Sequence, residues 1–278
     1  MDARLVDDYG LVIFDLDGVV YHGHRAVPHA VETINAVVDG GTSIAFVTNN
    51  ASRTPMAVAE QLRDLGIHAD GADVVTSAQA AATLAREEFG EGARVAWLGG
   101  DGLRWAVEEA GLVPVSPGDD AAAIITGTAP DVPWRDISRS AMRVRDGLPW
   151  IAPNHDMTYP SAQGLAPGTG AVVDLIARFS GRTPTFAGKP AAPLFRATLA
   201  RHGNPTALMV GDRPDSDIRG AHVSGLDSLL VLTGVTDVSA VAGLRGQDQP
   251  TYVARDLRGL VQVAQTWDAF VADGSLSA

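Results

Sequence analysis

The stretch LVIFDLDG, residues 11–18, places four apolar residues directly before two carboxylates, Asp15 and Asp17, which one leucine separates. The apolar run predicts a buried strand over Leu11–Phe14. Side chains at positions i and i+2 of an extended chain point the same way, so both carboxylates can face one site. They would repel each other there, and a divalent cation such as Mg²⁺ would relieve the repulsion. The strand end is therefore a candidate metal site, although DLDG alone is also typical of an ordinary turn.

The composition is that of a globular, acidic protein. Its 278 residues suffice for one large domain or two small ones, and hydrophobic residues make up 46% of them, enough for a core. The absence of cysteine excludes disulfides and thiolate metal sites. A formal net charge of −12 disfavours a nucleic-acid partner. A bound phosphate would need local positive charge, a metal or backbone amides.

The location of the protein is predicted to be cytoplasmic, without a membrane partner. No apolar run approaches the ~18 residues that a transmembrane helix needs. The N-terminal sequence MDARLVDDYG is acidic and lacks the basic and apolar regions of a secretory signal.

Short apolar runs alternate with helical patterns along the chain, which predicts an α/β fold with parallel sheets. Helices are predicted at 28–39 and about 54–66. The predicted strands are Leu11–Phe14, 43–47, Arg94–Leu98, 122–125, Trp150–Ala152, 206–210 and 229–232. The region 78–184 is long enough to be a second α/β domain inserted into a Rossmann-like core formed by 1–77 and 185–278.

Polar residues follow several of these strands, where parallel sheets bind ligands. Asp212, Asp215 and Asp217 of GDRPDSD follow the strand at 206–210, although a helix N-terminus rich in aspartate also fits this motif. Thr48 of FVTNN ends the second strand, and its hydroxyl with the Asn49 amide could hold a phosphate oxygen, or form a turn.

A lysine in AGKP, Lys189, is fixed between a glycine and a proline. It is placed to neutralise an anion, although an ordinary surface lysine is the plainer interpretation.

In chain order these pieces read FDLDGVVY, FVTNNAS, AGKP and MVGDRPDSD. The combination resembles the haloacid dehalogenase (HAD) superfamily of phosphohydrolases over nearly the whole chain. The insertion, with VVTSAQAAA, NHDMTYPSAQGLAPGTGAVV and VLTGV, is similar to the class IIA cap of the NagD and p-nitrophenylphosphatase branch. Within that branch the chain most resembles actinobacterial D-glycerol 3-phosphate phosphatases. The fold implied is a Rossmann-like HAD core with an inserted α/β cap domain.

The resemblance implies a two-step mechanism. Asp15 would attack phosphorus and form an aspartyl-phosphate. Asp17 would protonate the leaving alcohol and then activate water. Mg²⁺ would bind Asp15, the backbone carbonyl of Asp17 and Asp212, and Asp217 would hold the water shell of the metal or orient Lys189.

The phosphate-binding and substrate-binding residues also follow from the resemblance. The residues implied to bind the transferring phosphoryl group are Thr48, Asn49, Asn50 and Lys189. In the cap segment, Asn154, Asp156 and Tyr159 are candidate substrate contacts, with His155 beside them; a hydrogen-bonded loop is the alternative. Two departures from the family pattern are Val19 and Pro153, where many relatives carry threonine, and the second leaves substrate identity open.

Glycerol 3-phosphate is the first-choice substrate by resemblance, with sugar phosphates, nucleoside monophosphates and pyridoxal phosphate as alternatives. A non-catalytic protein that binds a phosphorylated metabolite is the alternative of another class, and the intact motif set argues against it. A dehalogenase would not need Asp17, and a P-type ATPase would need transmembrane helices. Members of the branch often pair through their caps, which favours a homodimer.

The segment LGGDGLRW, residues 98–105, predicts a strand-to-helix turn rather than a dinucleotide site, because the third glycine is missing.

Overall fold

The computed structural model describes residues 4–161, 164–262 and 264–273, which form an α/β protein. Its strands are β1 (Leu11–Phe14), β2 (Tyr21–His22), β3 (Arg25–Ala26), β4 (Ser43–Thr48), β5 (Val74–Thr76), β6 (Arg94–Leu98), β7 (Val113–Val115), β8 (Ala123–Thr126), β9 (Trp150–Ala152), β10 (Thr158–Ser161), β11 (Gly164–Pro167), β12 (Thr185–Phe186), β13 (Ala207–Gly211), β14 (Asp227–Val231), β15 (Tyr252–Ala254) and β16 (Gln265–Thr266). Its α-helices are α1 (Ala30–Asp39), α2 (Pro55–Asp64), α3 (Ser77–Phe89), α4 (Asp101–Glu109), α5 (Trp134–Arg145), α6 (Thr169–Ser180), α7 (Ala192–Arg201), α8 (Arg219–Val223), α9 (Val238–Val241) and α10 (Trp267–Asp273).

The larger sheet has seven strands in the order β16-β15-β14-β13-β1-β4-β5. β1 is an interior strand and pairs in parallel with both β13 and β4. All four residues of β1 are buried, as expected for an apolar strand with a neighbour on each side. The edge strand β16 runs antiparallel to β15. The predicted parallel α/β sheet is confirmed, and the parallel pairing of β1 with β13 brings the residues after β1 next to those after β13.

The smaller sheet has five strands in the order β12-β9-β8-β6-β7, all paired in parallel. Its core contains Ile124, Trp150 and Val173, which are at most 6% exposed. The indole of Trp150 donates a 2.7 Å hydrogen bond to the hydroxyl of Thr126, so its one polar atom is satisfied inside this core.

The chain divides into two compact units. The first holds the described residues up to Val47, Val58–Val74 and those from Thr198 onward. The second holds Thr48–Ala57 and Val75–Ala197. The core of the first unit includes Phe14 and Phe46, whose stacked rings lie 5.7 Å apart on β1 and β4. The division of the sequence at 77 and 185 into a core and a cap stays a prediction.

Several element boundaries differ from those predicted. The first helix begins at Ala30 rather than residue 28, because His29 adopts a left-handed conformation with φ of 67°. The strand predicted at 206–210 is Ala207–Gly211, since the carbonyl of Thr206 instead accepts from Gly10 and Leu11. The strands predicted at 43–47, 122–125 and 229–232 likewise differ by one or two residues at one or both ends, and are Ser43–Thr48, Ala123–Thr126 and Asp227–Val231.

Across the described ranges, every helix falls short of the length and apolar character that crossing a bilayer requires.

Candidate active site

Three carboxylates meet in the first unit. Asp15 directly follows β1, Asp212 directly follows β13, and Asp217 lies in the π-helical turn Pro214–Ile218. One oxygen of each lies within 4.8 Å of the other two. Asp15 is 9% exposed, Asp212 1% and Asp217 0%. The parallel pairing of β1 with β13 explains the meeting, because it places the ends of these two strands side by side.

The loop after β14 holds Asp212 in place. The Val235 amide donates a 2.8 Å hydrogen bond to Oδ2 of Asp212, and the Thr236 hydroxyl donates one of 2.5 Å to its backbone carbonyl. The Thr233 hydroxyl donates a 2.7 Å hydrogen bond to the carbonyl of Gly18. The loop therefore fixes both Asp212 and the turn that follows Asp15. In the sequence the VLTGV segment is only a family likeness, and its contacts to Asp212 were not predicted.

Two glycines make room for this arrangement. Gly18 has φ of +86°, and a Cβ on it would lie 2.6 Å from Oδ2 of Asp212. A Cβ on Gly234 would overlap the carboxylate of Asp212. A side chain at either position would therefore displace Asp212 from the cluster.

Asp17 and Asp215 differ from the three clustered carboxylates. Asp17 is exposed, and its backbone forms an isolated bridge with Tyr21 that closes the turn after β1. Burial would raise the pKa of Asp215, but its hydrogen bond and ion pair with Arg213 prevail and lower that pKa. Asp215 is therefore an ionised partner of Arg213.

The second unit contains a network centred on Asn49. Oδ1 of Asn49 accepts a 2.9 Å hydrogen bond from the Lys189 amide, and Nδ2 donates one of 3.1 Å to the Lys189 carbonyl. Lys189 is 5% exposed. Beside Asn49, the hydroxyl of Thr48 accepts from the Asn50 amide at 3.0 Å. The four residues predicted to bind phosphate, Thr48, Asn49, Asn50 and Lys189, therefore all take part in hydrogen bonds at or beside Asn49 within this unit.

The comparisons with known proteins agree with these motifs. A family model described as haloacid dehalogenase-like hydrolase matches residues 12–113, and a HAD-hydrolase-like model matches 186–260. The D-glycerol 3-phosphate phosphatase of Mycobacterium tuberculosis is 40% identical over 259 residues, which cover 93% of this chain and 72% of that protein. The chain belongs to the haloacid dehalogenase-like hydrolase family. The resemblance stated from the sequence motifs is confirmed.

Other members of the family extend this comparison. The acid sugar phosphatase of Staphylococcus aureus is 34% identical over 251 residues, covering 90% of this hydrolase and 95% of that protein. A crystal structure of the M. tuberculosis glycerol phosphate phosphatase with magnesium superposes with a TM-score of 0.88 at 40% identity, covering 94% and 78% of the two chains. A crystal structure of a thermostable NPPase from Geobacillus stearothermophilus superposes with a TM-score of 0.82 at 32% identity. The match covers 92% of this chain and 98% of that chain.

The donor set of this hydrolase fits Mg²⁺. The three clustered side chains offer only oxygen ligands, and all three carry negative charge when ionised. Like charges this close and this buried are costly without a cation between them. Mg²⁺ is a hard cation that binds carboxylate oxygens and keeps several waters. Asp15, Asp212 and Asp217 are the side chains that could hold it.

The predicted substrate contacts of this hydrolase lie on one segment of the second unit. Asn154 is 4% exposed, and its Nδ2 donates a 2.5 Å hydrogen bond to the Asn49 carbonyl. Asp156 is half-buried and its amide donates to Oδ1 of Asn154. Tyr159 lies on β10 opposite Ala166. His155 is paired with Asp174 at 2.8 Å. Asn154 thus joins the Asn49 network by direct contact, and Asp156 is connected to it through Asn154.

The glycine-rich segment 98–105 forms the predicted strand-to-helix turn between β6 and α4. The amide of Gly102 donates a 3.0 Å hydrogen bond to the carbonyl of Ser52. A Cβ on Gly102 would lie 2.5 Å from the carbonyl oxygen of Arg53. The glycine therefore allows the close packing of these two backbone segments.

Proposed function

We propose that this protein is a Mg²⁺-dependent phosphomonoesterase that hydrolyses a small phosphorylated metabolite through an aspartyl-phosphate. The observation that carries the proposal is the meeting of Asp15, Asp212 and Asp217 oxygens within 4.8 Å at adjacent strand ends. Family membership supports the same chemistry. Bound Mg²⁺ would offset the repulsion between an anionic nucleophile and an anionic phosphate.

In the first step, a carboxylate oxygen of Asp15 forms a bond to phosphorus while the bond from phosphorus to the ester oxygen breaks. Asp17 donates its proton to the departing alcohol oxygen. The exposure of Asp17 suits this role, since its carboxyl can exchange protons with solvent.

In the second step, water attacks phosphorus and Asp17 accepts a proton from it. The bond between phosphorus and the Asp15 oxygen breaks, which releases inorganic phosphate and restores the carboxylate. The residues proposed to bind the oxygens of the transferring phosphoryl group are Thr48, Asn49, Asn50 and Lys189. A lysine with fixed backbone supplies the positive charge that a chain of net charge −12 needs for binding phosphate.

Glycerol 3-phosphate is the proposed substrate. The support is the 40% identity to the M. tuberculosis enzyme, which carries that name and aligns with 93% of this chain. A broad sugar phosphatase is the second candidate, supported by the 34% identity to the S. aureus acid sugar phosphatase. The cap residues Asp156 and Tyr159 remain proposed substrate contacts, and cytoplasmic location and a homodimer remain predictions.

A panel of phosphate esters tests the substrate proposal. The ratio kcat/KM is measured with Mg²⁺ for both enantiomers of glycerol phosphate, several sugar phosphates, nucleoside monophosphates and pyridoxal phosphate. We expect one glycerol phosphate enantiomer to exceed the other compounds by at least about 10-fold, because one well-placed contact to a hydroxyl supplies about 1.4 kcal/mol. A flat profile would favour the broad sugar phosphatase. Tight binding of a metabolite without hydrolysis would favour the non-catalytic alternative.

A further inference from the structure

The backbone at Gly188 and Lys189 is held by hydrogen bonds to the Pro153 carbonyl and to the carboxamide of Asn49. The amide of Gly188 donates a 2.7 Å hydrogen bond to the Pro153 carbonyl, and the carboxamide of Asn49 bonds both the amide and the carbonyl of Lys189. A Cβ on Gly188 would overlap Oδ1 of Asn49 and the Pro153 carbonyl oxygen. The backbone at Lys189 is therefore tightly confined, and the carboxamide of Asn49 is one of the groups that confine it.

Asn49 is held in turn by two buried donors. Its carbonyl accepts a 2.6 Å hydrogen bond from the Ser77 hydroxyl and one of 2.5 Å from Nδ2 of Asn154. Ser77 is fully buried at the start of α3, where Thr76 and Gln79 form a capping box, and Asn154 is 4% exposed just after β9. Two separate elements of the second unit thus converge on a single peptide oxygen.

We infer that Ser77 and Asn154 are positioning residues for Lys189 and act through Asn49. The inference rests on the proposed function, in which Lys189 binds the transferring phosphoryl group. It also gives Asn154 a different role from the substrate contact that the sequence suggested. Both ends of its carboxamide are engaged by backbone, Nδ2 by the Asn49 carbonyl and Oδ1 by the Asp156 amide at 3.0 Å.

The physical reason lies in the length of the lysine side chain. Four methylene groups amplify a small rotation of the backbone into a large displacement of Nζ, and displacements near 1 Å can cost about 100-fold in rate. Removing either donor leaves the Asn49 carbonyl with one fewer bond in a buried place, and its peptide can then tilt. A residue that acts this way lowers turnover by the same factor for every substrate. A substrate contact instead changes the ranking of substrates.

The test measures kcat and KM of Ser77→Ala and Asn154→Ala for glycerol 3-phosphate, a sugar phosphate and p-nitrophenyl phosphate. Each substitution is also made with Lys189→Met, which keeps the methylene chain and removes the ammonium group. We expect kcat to fall about 10-fold by a common factor for the three substrates. With Lys189→Met in place, the same substitutions should change kcat by less than about 2-fold.

Asn35→Ala is the matched control. Its carboxamide also joins two backbone groups, the Gly66 carbonyl at 2.8 Å and the His68 amide at 3.0 Å, but it lies in the first unit away from Lys189 in the chain. We expect it to lower the melting temperature without changing kcat. Equal losses with and without Lys189→Met, or a changed substrate ranking in Asn154→Ala, would overturn the inference.

Amide hydrogen exchange tests the same inference without activity. The peptide that contains the Lys189 amide should exchange faster in Ser77→Ala and Asn154→Ala than in the wild type and in Asn35→Ala. Unchanged exchange there would contradict the inference even in an active enzyme. A wild type that hydrolyses none of the three esters would instead contradict the proposed function, and the exchange result would still report on the positions of Ser77 and Asn154.

Discussion

Replacing Asp15 by asparagine is expected to lower phosphate release by at least about 10⁴-fold, the loss typical when a nucleophile is removed. An amide oxygen is a poor nucleophile, so the bond to phosphorus does not form. The fold should persist, since asparagine has the same shape and Asp15 is one of three clustered like charges. Without Mg²⁺ the melting temperature of Asp15→Asn should equal or exceed that of the wild type, because the substitution relieves repulsion.

The matched control for this substitution is Asp39→Asn. Asp39 is an exposed residue at the end of α1 and is not one of the clustered carboxylates. It should release phosphate at the wild-type rate. An Asp15→Asn variant that keeps near-normal turnover would rule out attack by Asp15.

Chelation of divalent cations should abolish turnover, and added Mg²⁺ should restore it. The melting temperature provides a second measurement of Mg²⁺ binding, which does not depend on activity. A cation that binds only the folded state at 100 times its Kd stabilises that state by about 2.7 kcal/mol. For a chain of this size each kcal/mol raises the melting temperature by about 2–4 °C. Mg²⁺ should therefore raise the melting temperature of the wild type measurably.

Asp212→Asn should remove most of this Mg²⁺-dependent shift. Asparagine can still accept the hydrogen bond from the Val235 amide, so the loop after β14 should stay in place while one negative ligand is lost. Asp39→Asn again serves as the control and should keep the full shift. The metal assignment would be contradicted if turnover continued in the presence of the chelator. It would also be contradicted if Mg²⁺ left the melting temperature of the wild type unchanged.

The parts of the fold that followed from sequence are those in which a local pattern has one physical solution. The apolar run at Leu11–Phe14 predicted a buried strand, and that strand is a fully buried interior strand of the larger sheet. Acids follow this strand and the strand predicted at 206–210, and the parallel pairing of the two strands brings three of these acids together. Charges that interrupt a hydrophobic pattern thus carried most of the information about the site.

Other features depend on contacts that no local pattern records. β7 was not predicted because Pro114 interrupts a three-residue edge strand, and β16 has only two residues. Ser77 acts on a backbone carbonyl 28 positions away, which any residue could have supplied. The one sequence signal near Ser77 was TSAQ, a capping box. This motif indicates the start of a helix but gives no information about a contact with Asn49. The hydrogen bond from Val235 to Asp212 could not be predicted from the sequence either, because the donor is a backbone amide, which nearly every residue has.

The most direct test of the central claim is the reaction of Asp17→Asn with p-nitrophenyl phosphate in the presence of Mg²⁺. Nitrophenolate leaves without protonation, so the first step should proceed, whereas water lacks its base in the second. We expect a burst of one nitrophenol per enzyme, with a phosphoryl group on the peptide that contains Asp15 after acid quenching. Steady turnover at the wild-type rate, or a burst that leaves Asp15 unmodified, would contradict it.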